Sequence, residues 1–114
     1  ESWMDAETYQ THRIRTSMNA AKGRANRKKV KYKINDAYMI SIFPKDMICP
    51  VLGIKMTWVG ERDTTPSIDK IFPNKGYVEG NVIWVSTRAN RIKQDATPEE
   101  MMKVAKWLKK QEKS

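Results

Sequence analysis

The sequence predicts a small α+β fold in one domain, and three observations carry that prediction. Apolar residues recur at helical spacing near both ends of the chain. Two short β-prone runs, residues 67–71 and 82–85, lie between them. Turn formers separate the runs, as Pro73-Asn74-Lys75-Gly76 and Glu79-Gly80-Asn81. A chain of 114 residues suits one domain, and a hydrophobic fraction of 39% supports a modest core.

Residues 5–28 read as a helix. Ile14, Met18, Ala21 and Ala25 follow at spacings of four, three and four, which puts them on one face. Asp5 suits the N-cap and Glu7 the first turn, while Gly23 weakens the segment near its end. Lys31-Tyr32-Lys33-Ile34 alternates and predicts a short strand. Asn35 is placed to cap a short helix over residues 36–42, which Pro44 stops. Cys49-Pro50-Val51-Leu52-Gly53-Ile54 reads as a tight turn beside an apolar strand. Residues 60–66 form a polar loop with Glu61 and Asp63, and Thr65-Pro66 leads in extended form into the first strand run.

Gly76 is placed to supply a positive φ in the turn that follows. Val82 to Val85 is a short buried strand, and Ser86 or Thr87 caps the helix that carries Asn90 and Lys93. Thr97-Pro98-Glu99-Glu100 is a capping box with Pro at the first helical position. Met101, Val104, Ala105 and Leu108 then line one face, with Lys103, Lys106, Lys109 and Lys110 towards solvent and the C-terminal end. Trp58, Trp84 and Trp107 are expected in the core or at its edges, and Trp3 near an exposed terminus. Tyr32 and Tyr77 either stack on bases or lie along the surface.

Lys and Arg number 22 against 13 acids, a net charge of +9, so a polyanionic partner is expected, with nucleic acid ahead of membrane. No acid occurs between Glu7 and Asp36, and nine basic residues crowd that stretch, among them Arg13, Arg24, Arg27, Lys28 and Lys29. Such a face either contacts backbone phosphates or is simply solvated. Arg88, Arg91 and Lys93 extend the candidate phosphate contacts into the later helix. A lone cysteine, Cys49, excludes an in-chain disulfide and a four-cysteine zinc site, and suits a reducing cytoplasm. No apolar run approaches the ~20 residues of a membrane span, and no signal-peptide pattern opens the chain. The start on Glu1 rather than Met fits a chain that has been processed or trimmed.

Metal-assisted cleavage of a phosphodiester needs hard oxygen ligands, a base that activates water, and positive charge for the developing anion. Asp69 is a hard ligand, and Asn90 offers a carbonyl oxygen from the helix that faces its strand. Asn81 either fixes the loop between the strands or helps to orient the site. Lys70, Arg88, Arg91 and Lys93 supply positive charge nearby.

An acid ending one strand, an Asn opening the next and an Asn on the following helix form a pattern that resembles the HNH, or His-Me finger, nucleases. The likeness is greatest to the phage-type, endonuclease VII-like members, and it covers residues 49–100. It implies a ββα-metal finger over residues 46–95, after a basic helical leader at 1–45 and before an amphipathic helix at 96–114. It further implies DNA hydrolysis by nicking or branch cleavage, with one Mg²⁺ or Mn²⁺ held by Asp69 and Asn90. DNA is the implied partner, RNA and a homodimer stay open, and a phage-encoded chain would work in the host cytoplasm.

Cys49-Pro50-Val51-Leu52-Gly53 matches the family's knuckle, with Leu52 where zinc-bearing members keep a second Cys. Residues 86–91 lack the other Cys pair, so no structural zinc is expected. Lys70 stands where the family keeps its catalytic His. A Lys with an ordinary pKa near 10.4 is a poor base at neutral pH, though burial or neighbouring cations lower that value. Three readings stay open. Lys70 is an unusual base or a phosphate clamp; His12, the only histidine, approaches as the base; or the site is inactive and the finger only binds nucleic acid.

Overall fold

A computed structural model describes residues 5–113, so the expectation for Trp3 lies outside the described residues. Helix α1 spans Ala6–Lys28. Its N-cap is Asp5, whose Oδ1 accepts the Thr8 N–H at 2.8 Å. Ile14, Met18, Ala21 and Ala25 are its buried residues, the stripe that the spacing predicts. Lys29, in the left-handed region at φ 57°, closes the helix with its N–H on Ala25 and Asn26 carbonyls. Strand β1, Tyr32–Lys33, follows, then helix α2, Asp36–Ser41, capped by the Asn35 side chain.

Strand β2, Pro66–Lys70, pairs antiparallel with β4, Val82–Ser86, in a register that sets Ile68 opposite Trp84 and Asp69 opposite Ile83. Between them β3, Tyr77–Val78, pairs in parallel with β1. The described residues thus hold two two-stranded sheets. Helix α3, Thr87–Lys93, follows β4 directly, because the Ser86 hydroxyl accepts the Ala89 N–H at 3.1 Å and turns the strand into a helix. It packs back on β2 and β4, while α1 covers β2.

The main core joins α1, α2 and the β2–β4 pair through Ile14, Met18, Met39, Phe43, Ile68 and Trp84. Trp84 meets Phe43 edge-on with ring centroids 5.0 Å apart, and Trp58 stacks on Phe43 at 5.5 Å. The Trp84 indole N–H donates to the Met39 carbonyl at 2.9 Å, so its burial leaves no polar atom unpaired. Cys49, Met56, Val85 and Ala89 form a second cluster under α3. Here the Cys49 sulfur accepts the Ser86 and Leu52 N–H groups at 3.3 and 3.4 Å.

Three expectations are corrected. Residues 50–52 form the expected turn, but the apolar strand beside it is reduced to one isolated bridge between Ile48 and Lys55. Tyr77, expected to stack on bases or lie along the surface, is 3% exposed in strand β3, where its N–H donates to the Lys31 carbonyl at 2.8 Å. A Cβ on Gly76 would lie 2.6 Å from that same carbonyl, which with φ 78° restricts the position to glycine. Helix α4, Pro98–Glu112, has the full capping box but no buried residue. Its apolar stripe stays open and Trp107 is 61% exposed, because the two clusters close without it.

Candidate functional site

Asp69 sits one residue from the end of β2, and its carboxylate is held at both oxygens. Oδ1 accepts the Lys70 backbone N–H at 2.9 Å, and Oδ2 lies 3.2 Å from the Lys93 ammonium. Lys93 also donates to the Lys70 carbonyl at 2.9 Å. The residue is only 8% exposed, so this charge is partly removed from water and its cationic partner matters more. Helix α3 places Asn90 and Lys93 three residues apart on one face, towards β2. The Asn90 amide nitrogen donates to the Ser67 hydroxyl at 3.0 Å, which leaves Asn90 Oδ1 unpaired among the described residues.

Asp69 and Asn90 line a cleft of about 290 Å³ between α1, β2 and α3. Arg24 and Lys28 enter it from α1, Asp69 and Lys70 from β2, Asn90 from α3, and Asp95 from just beyond that helix. Arg24 is fixed by long hydrogen bonds of 3.4 Å to the Tyr77 hydroxyl and the Ile68 carbonyl. The Lys70 ammonium stands 5.0 Å from the Tyr77 ring centroid. Burial, first, and Lys28, next, push the Lys70 pKa below its ordinary value; Asp69 opposes them, and Arg24 and Lys93 add to the lowering. Arg24, Lys28, Lys70 and Lys93 set positive charge against the carboxylates of Asp69 and Asp95. An anion with two or three oxygens suits that balance.

Asn81 does not reach the cleft. It is 4% exposed, and its amide is spent on the loop backbone. Oδ1 accepts the Phe72 N–H at 2.9 Å, while Nδ2 donates to the Phe72 and Gly76 carbonyls at 3.0 and 2.7 Å. Its amide thus fixes the loop, the first of its two expected roles. His12 is corrected outright. It lies on the exposed face of α1, in a groove with Glu7, Thr8 and Arg15. Twelve residues of helix, roughly 18 Å, separate it from Arg24 at the cleft.

The candidate phosphate contacts divide. Lys28 and Arg24 line the cleft, and Lys93 reaches Asp69 from beside it. Arg13 is turned inward, donating to the Tyr9 hydroxyl and the Trp58 carbonyl at 2.8 and 3.0 Å. Arg91 is paired with Asp63. Arg27, Lys29 and Arg88 remain exposed outside the cleft. Gln94 and Asp95 line it without having been singled out in the sequence, and Tyr77 lines it from strand β3. For Asp95 the available signal was its place two residues after Lys93.

In donor type, Asp69 and Asn90 Oδ1 fit Mg²⁺, which usually takes one or two carboxylates and keeps several waters. The ion would have to displace the Lys93 ammonium from Asp69 Oδ2. No cluster of three His, Cys, Asp or Glu side chains suited to a metal occurs among the described residues. No helix there is long and apolar enough to cross a membrane. Comparisons with protein-family models, with curated proteins and with solved structures return no match to this chain.

Proposed function

We propose that this protein is a metal-dependent DNA endonuclease of the HNH type. The observation that carries the reading is one cleft in which buried Asp69 and the free oxygen of Asn90 face Arg24, Lys28 and Lys70. Arg24 and Lys28 bind the non-bridging oxygens of a backbone phosphate and set its position above Asp69. Asp69 and Asn90 are the residues that would hold one Mg²⁺ or Mn²⁺, which would supply Lewis-acid stabilisation of the phosphate and a more acidic water. Lys70 takes the proton-accepting role, because it lines the cleft beside Asp69 and the chain's one histidine lies elsewhere. Lys93 neutralises Asp69 and would have to give way at Oδ2 for an ion to bind there.

Supercoiled plasmid incubated with the protein and Mg²⁺ or Mn²⁺ tests this. Nicking is expected from the wild type, with loss in Asp69→Ala and in Lys70→Met. No nicking with either ion, together with no difference between wild type and Asp69→Ala, refutes the reading. A second reading, a nucleic-acid binder without catalysis, is favoured by the Lys93 ammonium already seated on Asp69. It predicts salt-dependent DNA binding that survives Asp69→Ala, and it fails if binding and cleavage both require the metal.

A further inference from the structure

The loop after β2 carries an exposed aromatic for which the chemistry above has no use. Phe72 is 55% exposed and precedes Pro73, which walls the cleft beside Asp69 and Lys70. Its backbone is clamped on both sides by one buried side chain, since Asn81 bonds the Phe72 N–H at 2.9 Å and the Phe72 carbonyl at 3.0 Å. A 3-10 turn over Pro73–Lys75 follows at once and brings the Lys75 ammonium within 4.8 Å of the ring centroid. The ring is therefore presented to solvent on a fixed backbone, with one cation on it and a cationic cleft beside it. An exposed aromatic next to bound phosphate offers a π-face to any base, but only to a base outside a continuous stack.

We propose that Phe72 is a stacking platform for an unpaired nucleobase adjoining the phosphate held in the cleft. The preferred substrate class is then DNA with unstacked nucleotides, such as single strands, flaps and branch points, rather than uninterrupted duplex. This rests on the nucleic-acid reading of the cleft but not on cleavage, so it is tested by binding alone.

The test uses full-length protein in EDTA, a single-stranded oligonucleotide carrying 2-aminopurine, and the matching duplex. Wild type should quench the single strand's fluorescence and bind it more tightly than the duplex. One stacked base contributes about a ten-fold difference. Phe72→Ala should lose the quenching and weaken single-strand binding about ten-fold, while duplex affinity stays within about two-fold. Phe72→Trp should keep both properties. Lys28→Ala should weaken both DNA forms alike and so reports on the cleft itself. Wild-type quenching and affinities in Phe72→Ala, with Lys28→Ala weakened, overturn the stacking role and leave the cleft reading standing. An equal loss for both DNA forms in Phe72→Ala overturns it as well. Unchanged binding in both variants overturns the cleft reading and this inference together. A urea midpoint matching wild type for Phe72→Ala establishes that the ring was removed without unfolding.

Discussion

Replacing Asn81 with Ala is expected to destabilise the protein by about 3 kcal/mol. Three hydrogen bonds are lost, at 2.9, 3.0 and 2.7 Å. Two of them serve Phe72, whose neighbourhood is open to water, so each net loss is about 0.5–1 kcal/mol. The third serves the carbonyl of buried Gly76, and leaving that group unpaired costs about 1–3 kcal/mol. With a urea m-value of about 2 kcal/mol/M, the midpoint should fall by about 1.5 M. Asn81→Asp separates hydrogen bonding from shape. It keeps the size and the acceptor for the Phe72 N–H, but sets a carboxylate oxygen against two carbonyls. It should therefore cost at least as much as Asn81→Ala. Urea unfolding followed by tryptophan fluorescence reads both variants. Stabilities within about 0.5 kcal/mol of wild type would refute the claim that this amide holds the loop.

Trp84→Phe should cost about 1–3 kcal/mol beyond its packing loss, because the Met39 carbonyl loses its 2.9 Å donor; urea unfolding checks it, and a neutral result would place that carbonyl in reach of water. The lowered Lys70 pKa means that the folded chain binds fewer protons there than the unfolded chain, whose Lys titrates near 10.5. Stability should accordingly rise with pH from the lowered value up to about 10.5, and Lys70→Met should flatten that rise in thermal melts; an unchanged slope contradicts it. Lys93→Gln removes the cation that competes for Asp69 Oδ2, so calorimetric Mn²⁺ binding should tighten about five-fold, the equivalent of a partly exposed pair worth about 1 kcal/mol; unchanged or weaker binding tells against Asp69 as a ligand.

What the sequence made legible was mostly local. Asp5, Asn35 and Thr97 with Glu100 cap helices because a short oxygen-bearing side chain before a helical run has few other uses. The α1 stripe was equally readable, since spacings of three and four residues fix a face whatever it packs against. The same rule failed for α4, where Met101, Val104 and Leu108 share a face but are not buried by any of the described residues, because periodicity names a face and not its neighbour. Strand β3 was hidden for a similar reason. Two residues carry no alternation, and their pairing depends on Lys31, far off in sequence.

The candidate site divides the same way. Asp69, Lys70 and Asn90, grouped in the sequence by strand-to-helix order and by the HNH-like pattern, line one cleft. Arg13 and Arg91 looked like free phosphate contacts because sequence shows charge but not its partner. The Trp58 carbonyl and the Asp63 carboxylate that occupy them lie 45 and 28 residues away. His12 was drawn towards the site by being the only histidine, whereas the length of α1 carries it off.

Helix α4 gives the chain two separate scales of stability. Helix α4 has 15 residues and buries none of them among the described residues, and a helix of that length is marginal in water without tertiary packing, because it gains little beyond its nucleation cost. Its opening therefore needs no disruption of the Trp84 core, and its amides should exchange by local fraying while those of β2 and β4 wait for global unfolding. Cooperativity then depends on the probe. Trp84 reports the core and Trp107 the helix, so total helicity, which sums α4 with the rest, should melt more broadly than the environment of Trp84.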